Sequence, residues 1–290
     1  MSQTPTTPQN SLPVINTYDD EIDLSELFAR LWAQKWLILT SGFLATVIAI
    51  AVALWLPNVY RAEALLAPAE ENSGGGLSAL ASQFGGLASL AGINLPKGDT
   101  NKTTVAIELM KSRTFLTDFI RRHQLEVPIM AAKGWDRATD QLVIDPDIYD
   151  VNTKRWVREV RPPFRPEPSD WELYKEFSDL LTVSEDKKTG LIKVAVEYYS
   201  PKMAKQWVDW LVAEINAYMK QRDVADAEKK IKFLEAQIAK TSIAEMQKIF
   251  YKLIEQQTKV IMLANVQDEY VFKTLDPAVE PLEKAKPKRA

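Results

Sequence analysis

Cysteine is absent from the sequence, which excludes disulfide cross-links, thiolate nucleophiles and cysteine-ligated metal centres. Histidine occurs once, as His123 in the run Arg121-Arg122-His123. A catalytic triad needs a histidine base and a histidine metal site draws on more than one, so His123 is read as a surface residue near a helix end. Neither a G-x-x-x-x-G-K-[ST] loop nor a G-x-G-x-x-G turn after a strand is present, so the usual phosphate cradles are missing. A large excess of either charge is missing too. The net charge of −3 gives no electrostatic reason to expect nucleic acid as a partner. Asp145 with Asp147, and Asp223 with Asp226, are the carboxylate pairs that could be nominated for acid–base work. Their spacing is that of a solvated loop and a solvated helix face. No catalytic residue, cofactor or metal is expected.

What the chain does have is one long apolar run. Trp36 to Leu56 reads WLILTSGFLATVIAIAVALWL and carries no charge. As a helix it would be about 31 Å long, enough for a bilayer core of about 30 Å. Trp36 and Trp55 sit at its ends, where indole rings favour the headgroup region, and Pro57 stops the helix. Ala51-Val52-Ala53 resembles a signal cleavage site. The 35 preceding residues, with Asp19, Asp20, Glu21 and Asp23, fit an uncleaved anchor better. Arg30 and Lys35 before the span, against Arg61 after it, put the N-terminus in the cytoplasm. Residues 1–17 read as disordered. Residues 18–35 form a cytoplasmic segment holding a short amphipathic helix with Leu24, Leu27, Phe28 and Leu31 on one stripe, capped by Asp23 and Glu26.

Residues 57–199 read as a mixed α/β base. YRAEALLAP (60–68) is a strand. Six of the ten glycines then cluster between Gly74 and Gly92, where GGLSALA from Gly75 and GGLASLA from Gly85 are near-copies. This segment is a low-complexity loop, or a stretch whose small residues permit close contact with a partner. A helix is predicted over roughly 103–122, with Val105, Leu109, Leu116, Phe119 and Ile120 as its core stripe. Residues 125–165 give no clear pattern. Ser169 and Glu172 form a capping box opening a helix with Trp171, Tyr174 and Phe177 on one face. LLTVSEDKKTGLIKVAVEYY is a hairpin turning at Lys187 to Gly190.

Ser200-Pro201 is a strong helix start, and nothing breaks that helix before about Lys240. Trp207, Trp210, Leu211, Ile215 and Tyr218 make its first half apolar on one side. Farther along, Asp226/Lys230 and Glu228/Lys232 are spaced to pair, and Ile231, Leu234 and Ile238 keep a narrow seam. A capping box at Ser242 and Glu245 opens a return helix to about Asn265, with Met246, Phe250, Leu253, Val260 and Ala264 as its seam, interrupted by Gln257. Residues 200–268 are thus a long helical hairpin, and EYVFKTL (269–275) is a final strand. If that strand joins residues 60–68 in one sheet, the Pro- and Lys-rich tail through 290 returns to where the first span ends. The expectation is a second transmembrane helix beyond it. The fold class is α+β: an N-terminal transmembrane helix, a base with a small largely antiparallel sheet, and a projecting helical hairpin.

Several segments carry a family resemblance. They are EIDLSELFARLW ahead of the span, IELMKSRTFLTDFI (107–120), the Gly-Leu-Ala segment, and above all FYKLIEQQTKVIMLANVQDEYVFKTLDPAVEPLEKAKPKR (250–289). The order LIE-x-Q, MLA, DPAV-x-P and PKR resembles the C-terminal pattern of the Wzz-type polysaccharide co-polymerases, the O-antigen chain-length determinants. The resemblance implies a bacterial inner-membrane protein with a periplasmic main domain and no catalytic residues. It implies assembly into a ring-like homo-oligomer that works beside a polysaccharide polymerase, and possible contact with the growing lipid-linked glycan. The second span expected after Arg289 is the one departure. Two other classes stay open. One is a co-polymerase coupled to a tyrosine kinase in capsule or exopolysaccharide export. The other is a periplasmic adaptor of an efflux pump. The residues expected to meet a copy or a partner are Gly75, Gly85, Asp226, Lys230, Ile231, Leu234, Ile238, Phe250 and Leu253.

Overall fold

Leu181–Glu185 and Ile192–Tyr198 pair as an antiparallel hairpin whose turn runs through Gly190, at φ 69°, a backbone region that favours glycine. In Ile192–Tyr198, Ile192, Val194, Val196 and Tyr198 all point to the core, as strict alternation demands. The computed structural model that contains this hairpin describes residues 32, 34–55, 57–69 and 98–287. The expected disordered N-terminus, the amphipathic segment from Asp23, and the Gly-rich stretch with Gly75 and Gly85 lie outside the described residues.

The chain divides into two units, one ending at Trp55 and the other beginning at Leu56. The first contains helix α1, Lys35–Trp55. Its apolar side chains are exposed along its length, Trp36 at 73% and Phe43 at 71%. The hydroxyls of Thr40 and Thr46 donate back to the carbonyls of Trp36 and Gly42, both at 2.8 Å. Among the described residues no helix is long and apolar enough to cross a membrane. Within α1, the side chains of residue 38 and of 52–55, Trp55 included, are not among those described. Pro57 is exposed just past the helix.

In the second unit, β1 (Tyr60–Pro68) is followed by α2 (Gly98–Met110), α3 (Arg113–Arg122) and α4 (Glu126–Ala131). Four short strands come next: β2 (Ala132–Asp136), β3 (Gln141–Ile144), β4 (Tyr149–Asp150) and β5 (Arg155–Trp156). Helix α5 (Asp170–Leu180) leads into the hairpin of β6 (Leu181–Glu185) and β7 (Ile192–Tyr198). Helix α6 (Pro201–Ile238), helix α7 (Ala244–Val266) and β8 (Phe272–Asp276) complete the order. The main sheet has strand order β6-β7-β1-β8 and is antiparallel throughout. Small β1 residues Ala62 and Ala64 and the apolar face of β7 share one core with Phe119, Phe177, Trp207, Leu211 and Ile215. Within it Trp207 packs between Tyr198 and Phe177, at ring-centroid distances of 4.3 and 5.7 Å.

Three expectations change here. The helix predicted over 103–122 is two helices, because Ser112 leaves helical geometry and its hydroxyl caps α3 by accepting from the Phe115 N–H. Ser169 and Glu172 do form the capping box of α5, but Trp171 stands 57% exposed. Leu173 takes the inward position with Phe177. His123 is not a free surface group. It caps the end of α3, stacks on Trp210 at 4.0 Å, and its Nε2 lies 2.6 Å from Glu214.

Residues 125–165 are organised by contacts distant in sequence. The Arg158 guanidinium, only 13% exposed, donates to the carbonyls of Arg165 and Pro166 and pairs with Glu172 at 2.7 Å. That half-buried fork ties an irregular arm to α5, at a place where no periodicity exists to read.

Candidate interaction surface

Ser200 accepts from the Met203 N–H and Pro201 fills the first turn of α6, as the sequence predicts. At 38 residues, α6 is about 57 Å long. Its fully buried positions end at Met219, apart from Ala227. The helix therefore runs well past the core, accompanied by α7.

Two stripes divide the surface of this hairpin. On α6, Val224, Ala227, Ile231, Leu234 and Ile238 follow 3-4 spacing and are at least partly covered. On α7 Gln247, Phe250, Ile254, Gln257, Ile261 and Ala264 are at least partly covered, again at 3-4 spacing. The seam expected for α7 is therefore corrected. Phe250 and Ala264 belong to it, and Gln257 lies within it rather than interrupting it. Met246, Leu253 and Val260 do not.

Those three residues belong to a second stripe, which sequence reasoning missed. Met246, Ile249, Leu253, Gln256, Val260 and Leu263 also follow 3-4 spacing, displaced by one residue from the first stripe. One residue is about 100° around a helix, so α7 carries two apolar faces nearly at right angles. The inner face meets α6. The outer leaves Ile249 52%, Leu253 38% and Met246 39% exposed, with Phe233 of α6 at 63% and Ile243 at 56% near the hairpin tip. The signal was present in the spacing. It was merged with its neighbour because the two stripes interleave.

Other expected features fall differently. Asp226 and Lys230 are both exposed, and among the described residues neither that pair nor Glu228–Lys232 closes into an ion pair. Ordering two long exposed side chains offsets most of the gain from such contacts. Ser242 does not cap α7. The N-cap is Ile243 and makes no side-chain bond, while the Gln247 amide donates to the Thr241 carbonyl across the corner. Of the nominated carboxylates, Asp223 is engaged by Lys102 at 2.9 Å and by the Tyr270 hydroxyl at 2.8 Å. Asp145 lies 3.7 Å from Lys133.

The return of the tail is visible. β8 pairs antiparallel with β1, and Lys286 then bridges Val59, with backbone bonds of 2.9 and 3.2 Å between them. Val59 is four positions after Trp55 in sequence. The bridge is fixed by Glu197 of β7, whose carboxylate holds Lys286 at 2.6 Å and Arg61 at 3.2 Å. The Lys286 hydrogen bond, with Arg61 assisting against desolvation, keeps Glu197 below the usual carboxylate range. A depressed carboxylate contributes stability that is present above its unfolded value, about 4.3, and lost as pH falls through the lower folded value. Glu197→Gln should therefore cost about 1 kcal/mol at pH 7, because two charge-assisted bonds weaken. In chemical denaturation the gap between variant and parent should close as pH is taken below 4. A gap independent of pH would show that this charge does not hold the tail.

Residues 20–123 match the Wzz family, described as chain length determinant protein. No curated relative matches by sequence. Among solved structures, a fragment of WzzB, a polysaccharide co-polymerase from Salmonella Typhimurium, is 12% identical, with 79% of this chain and 100% of that one covered at a TM-score of 0.31. A full-length bacterial polysaccharide co-polymerase is also 12% identical, with 92% and 90% covered at a TM-score of 0.34. The family match runs from ahead of α1 to the end of α3, so over residues 20–123 this chain is similar to the Wzz chain length determinants.

Proposed function

We propose that this chain is a non-enzymatic regulator of polysaccharide chain length, which sets the modal length of O-antigen or a related surface glycan. The family match carries the reading. In it, α1 is the anchor in the bacterial inner membrane. Its exposed apolar side chains suit lipid and its threonine hydroxyls are satisfied by its own backbone, while the sequence sets Trp36 and Trp55 at the two ends of the apolar run, where indole rings favour an interface. The second unit is periplasmic. Copies associate through the outer stripe of α7, forming a closed ring beside the polymerase. A helix whose inner face holds α6 and whose outer face is apolar at coiled-coil spacing can engage a neighbour without disturbing its own fold. The assembly acts as a scaffold: its geometry governs how long a growing chain stays engaged with the polymerase, so no bond-making group is required of it.

A polysaccharide ladder gel tests the reading. Cells lacking the gene should lose the clustered modal length and accumulate short, unregulated chains, and restoring the gene should return the cluster. An unchanged ladder in the deletion strain would overturn the assignment.

A further inference from the structure

Between β3 and the β4–β5 hairpin the surface folds into a cleft of about 280 Å³. Its walls combine apolar groups, Ile144, Pro146 and Val157, with the ring of Tyr149 and the Val151–Asn152 turn. The turn is held from within. The Asp150 carboxylate accepts from the backbone N–H groups of Asn152 and Thr153 and from the Thr153 hydroxyl, at 2.8, 3.3 and 2.7 Å. Those donors also keep Asp150 below the ordinary carboxylate range, so it stays ionised. The Tyr149 ring is braced edge-to-face by Trp156 at 5.0 Å.

Two polar ends are left over. Among the described residues, neither the Asn152 amide nor the Tyr149 hydroxyl makes an intramolecular hydrogen bond. Beside them Val151 is 60% exposed and Val157 44%, apolar surface left in water at the mouth of the cleft. A braced aromatic ring, aliphatic walls and a few outward hydrogen-bonding groups are what a pyranose requires, since it has an apolar C–H face and a rim of hydroxyls. The volume lies just under the range of about 300–1,000 Å³ for drug-sized ligands, which suits one sugar ring rather than a nucleotide. One carboxylate and no cationic side chain line the cleft, so a uronate or phosphate is disfavoured.

We propose that this cleft is a glycan subsite that grips one neutral pyranose unit of the polysaccharide. The proposal rests on the chain-length reading and gives it a contact: a growing chain is retained by the base itself, not only by the enclosure of a ring. Asn152 and Tyr149 address the hydroxyls, and the walls take the apolar face of the sugar.

The test uses the full chain in detergent micelles. The probe is the polysaccharide of the same cells, released from lipid by mild acid, with alginate oligosaccharide as the anionic contrast. Saturation-transfer NMR and equilibrium retention should show the released polysaccharide bound and alginate not bound. Val151→Arg, which fills the mouth, and Asn152→Ala, whose backbone contact to Asp150 is unaffected, should each weaken retention at least tenfold with oligomer size unchanged. Retention unaltered in both variants would place glycan binding elsewhere and overturn the proposal. Equal retention of alginate would overturn the choice of a neutral sugar. Variants that lowered the oligomer order but left retention intact would assign the cleft to a second copy instead. No retention by the parent chain, in cells whose ladder still depends on the gene, would remove the subsite and leave the chain-length reading standing.

Discussion

Aspartate at both Leu253 and Val260 should dissociate the assembly to monomers and abolish the modal length. Both side chains lie on the outer stripe of α7, at 38% and 36% exposure, so the change leaves the inner seam with α6 in place. In an associated state each carboxylate would be buried against apolar neighbours without a partner. An unpaired buried charge costs about 3 kcal/mol or more. At about 1.4 kcal/mol per tenfold, two such groups weaken association by more than a thousandfold. Sedimentation of the detergent-solubilised chain reads the first effect and a ladder gel the second. Glu255→Lys, on α7 but away from the stripe, should change neither. If the double variant sediments like its parent, copies do not meet through this face.

That stripe also marks where reading the sequence succeeds and where it stops. Local chemistry was fully legible. Ser200-Pro201 opens α6, Ser169 and Glu172 box the start of α5, and Gly190 turns the β6–β7 hairpin, each through atoms within a few residues of one another. The bounds of β1 were equally plain: YRAEALLAP reads as a strand over 60–68, and β1 spans Tyr60–Pro68. Topology followed by inference: pairing β8 with β1 brings Lys286 to Val59.

What failed had a different physical origin. Period alone cannot separate two apolar stripes one residue apart, so Leu253 and Val260 were merged with Phe250 into one seam. Which stripe faces α6 is decided by packing, not by spacing. Ser112 looked like one more polar residue in a continuous helix. The deciding feature is its extended backbone, which frees the hydroxyl to cap α3. The arm around Arg158 had no local pattern because its fold is fixed by side-chain contacts 7 to 14 residues away, to the Arg165 and Pro166 carbonyls and to Glu172, rather than by a repeating apolar period. The cleft beside Tyr149 is lined from the same irregular stretch, between Ile144 and Val157, and no apolar period pointed to it.

Asn216→Leu should strongly destabilise the second unit. Asn216 lies in α6, is 4% exposed, and had no apparent role in a helix read for its apolar face. Its amide oxygen accepts from the N–H groups of Val271 and Phe272 at 2.8 and 2.9 Å, and its nitrogen donates to the Phe272 carbonyl at 3.0 Å. The N–H and C=O of one strand residue point to the same side, so this side chain completes an open edge of β8, the last strand of the sheet. Leucine matches the volume but supplies no partner, and three buried backbone groups lose theirs. At about 1–3 kcal/mol for each buried group left unsatisfied, partly relieved by water, the expected loss is about 3–6 kcal/mol. Domain stabilities are only about 5–15 kcal/mol, so much of the margin goes. β8 should loosen first, and with it the tail that leads to Lys286. Amide exchange over residues 271–276 should rise by orders of magnitude, while exchange in β7 stays slow until global unfolding. Asn216→Asp keeps the acceptor and sets a charge against the Phe272 carbonyl, so it should fall between leucine and the parent. Exchange in 271–276 that matched the parent would mean β8 is held by its pairing with β1 alone.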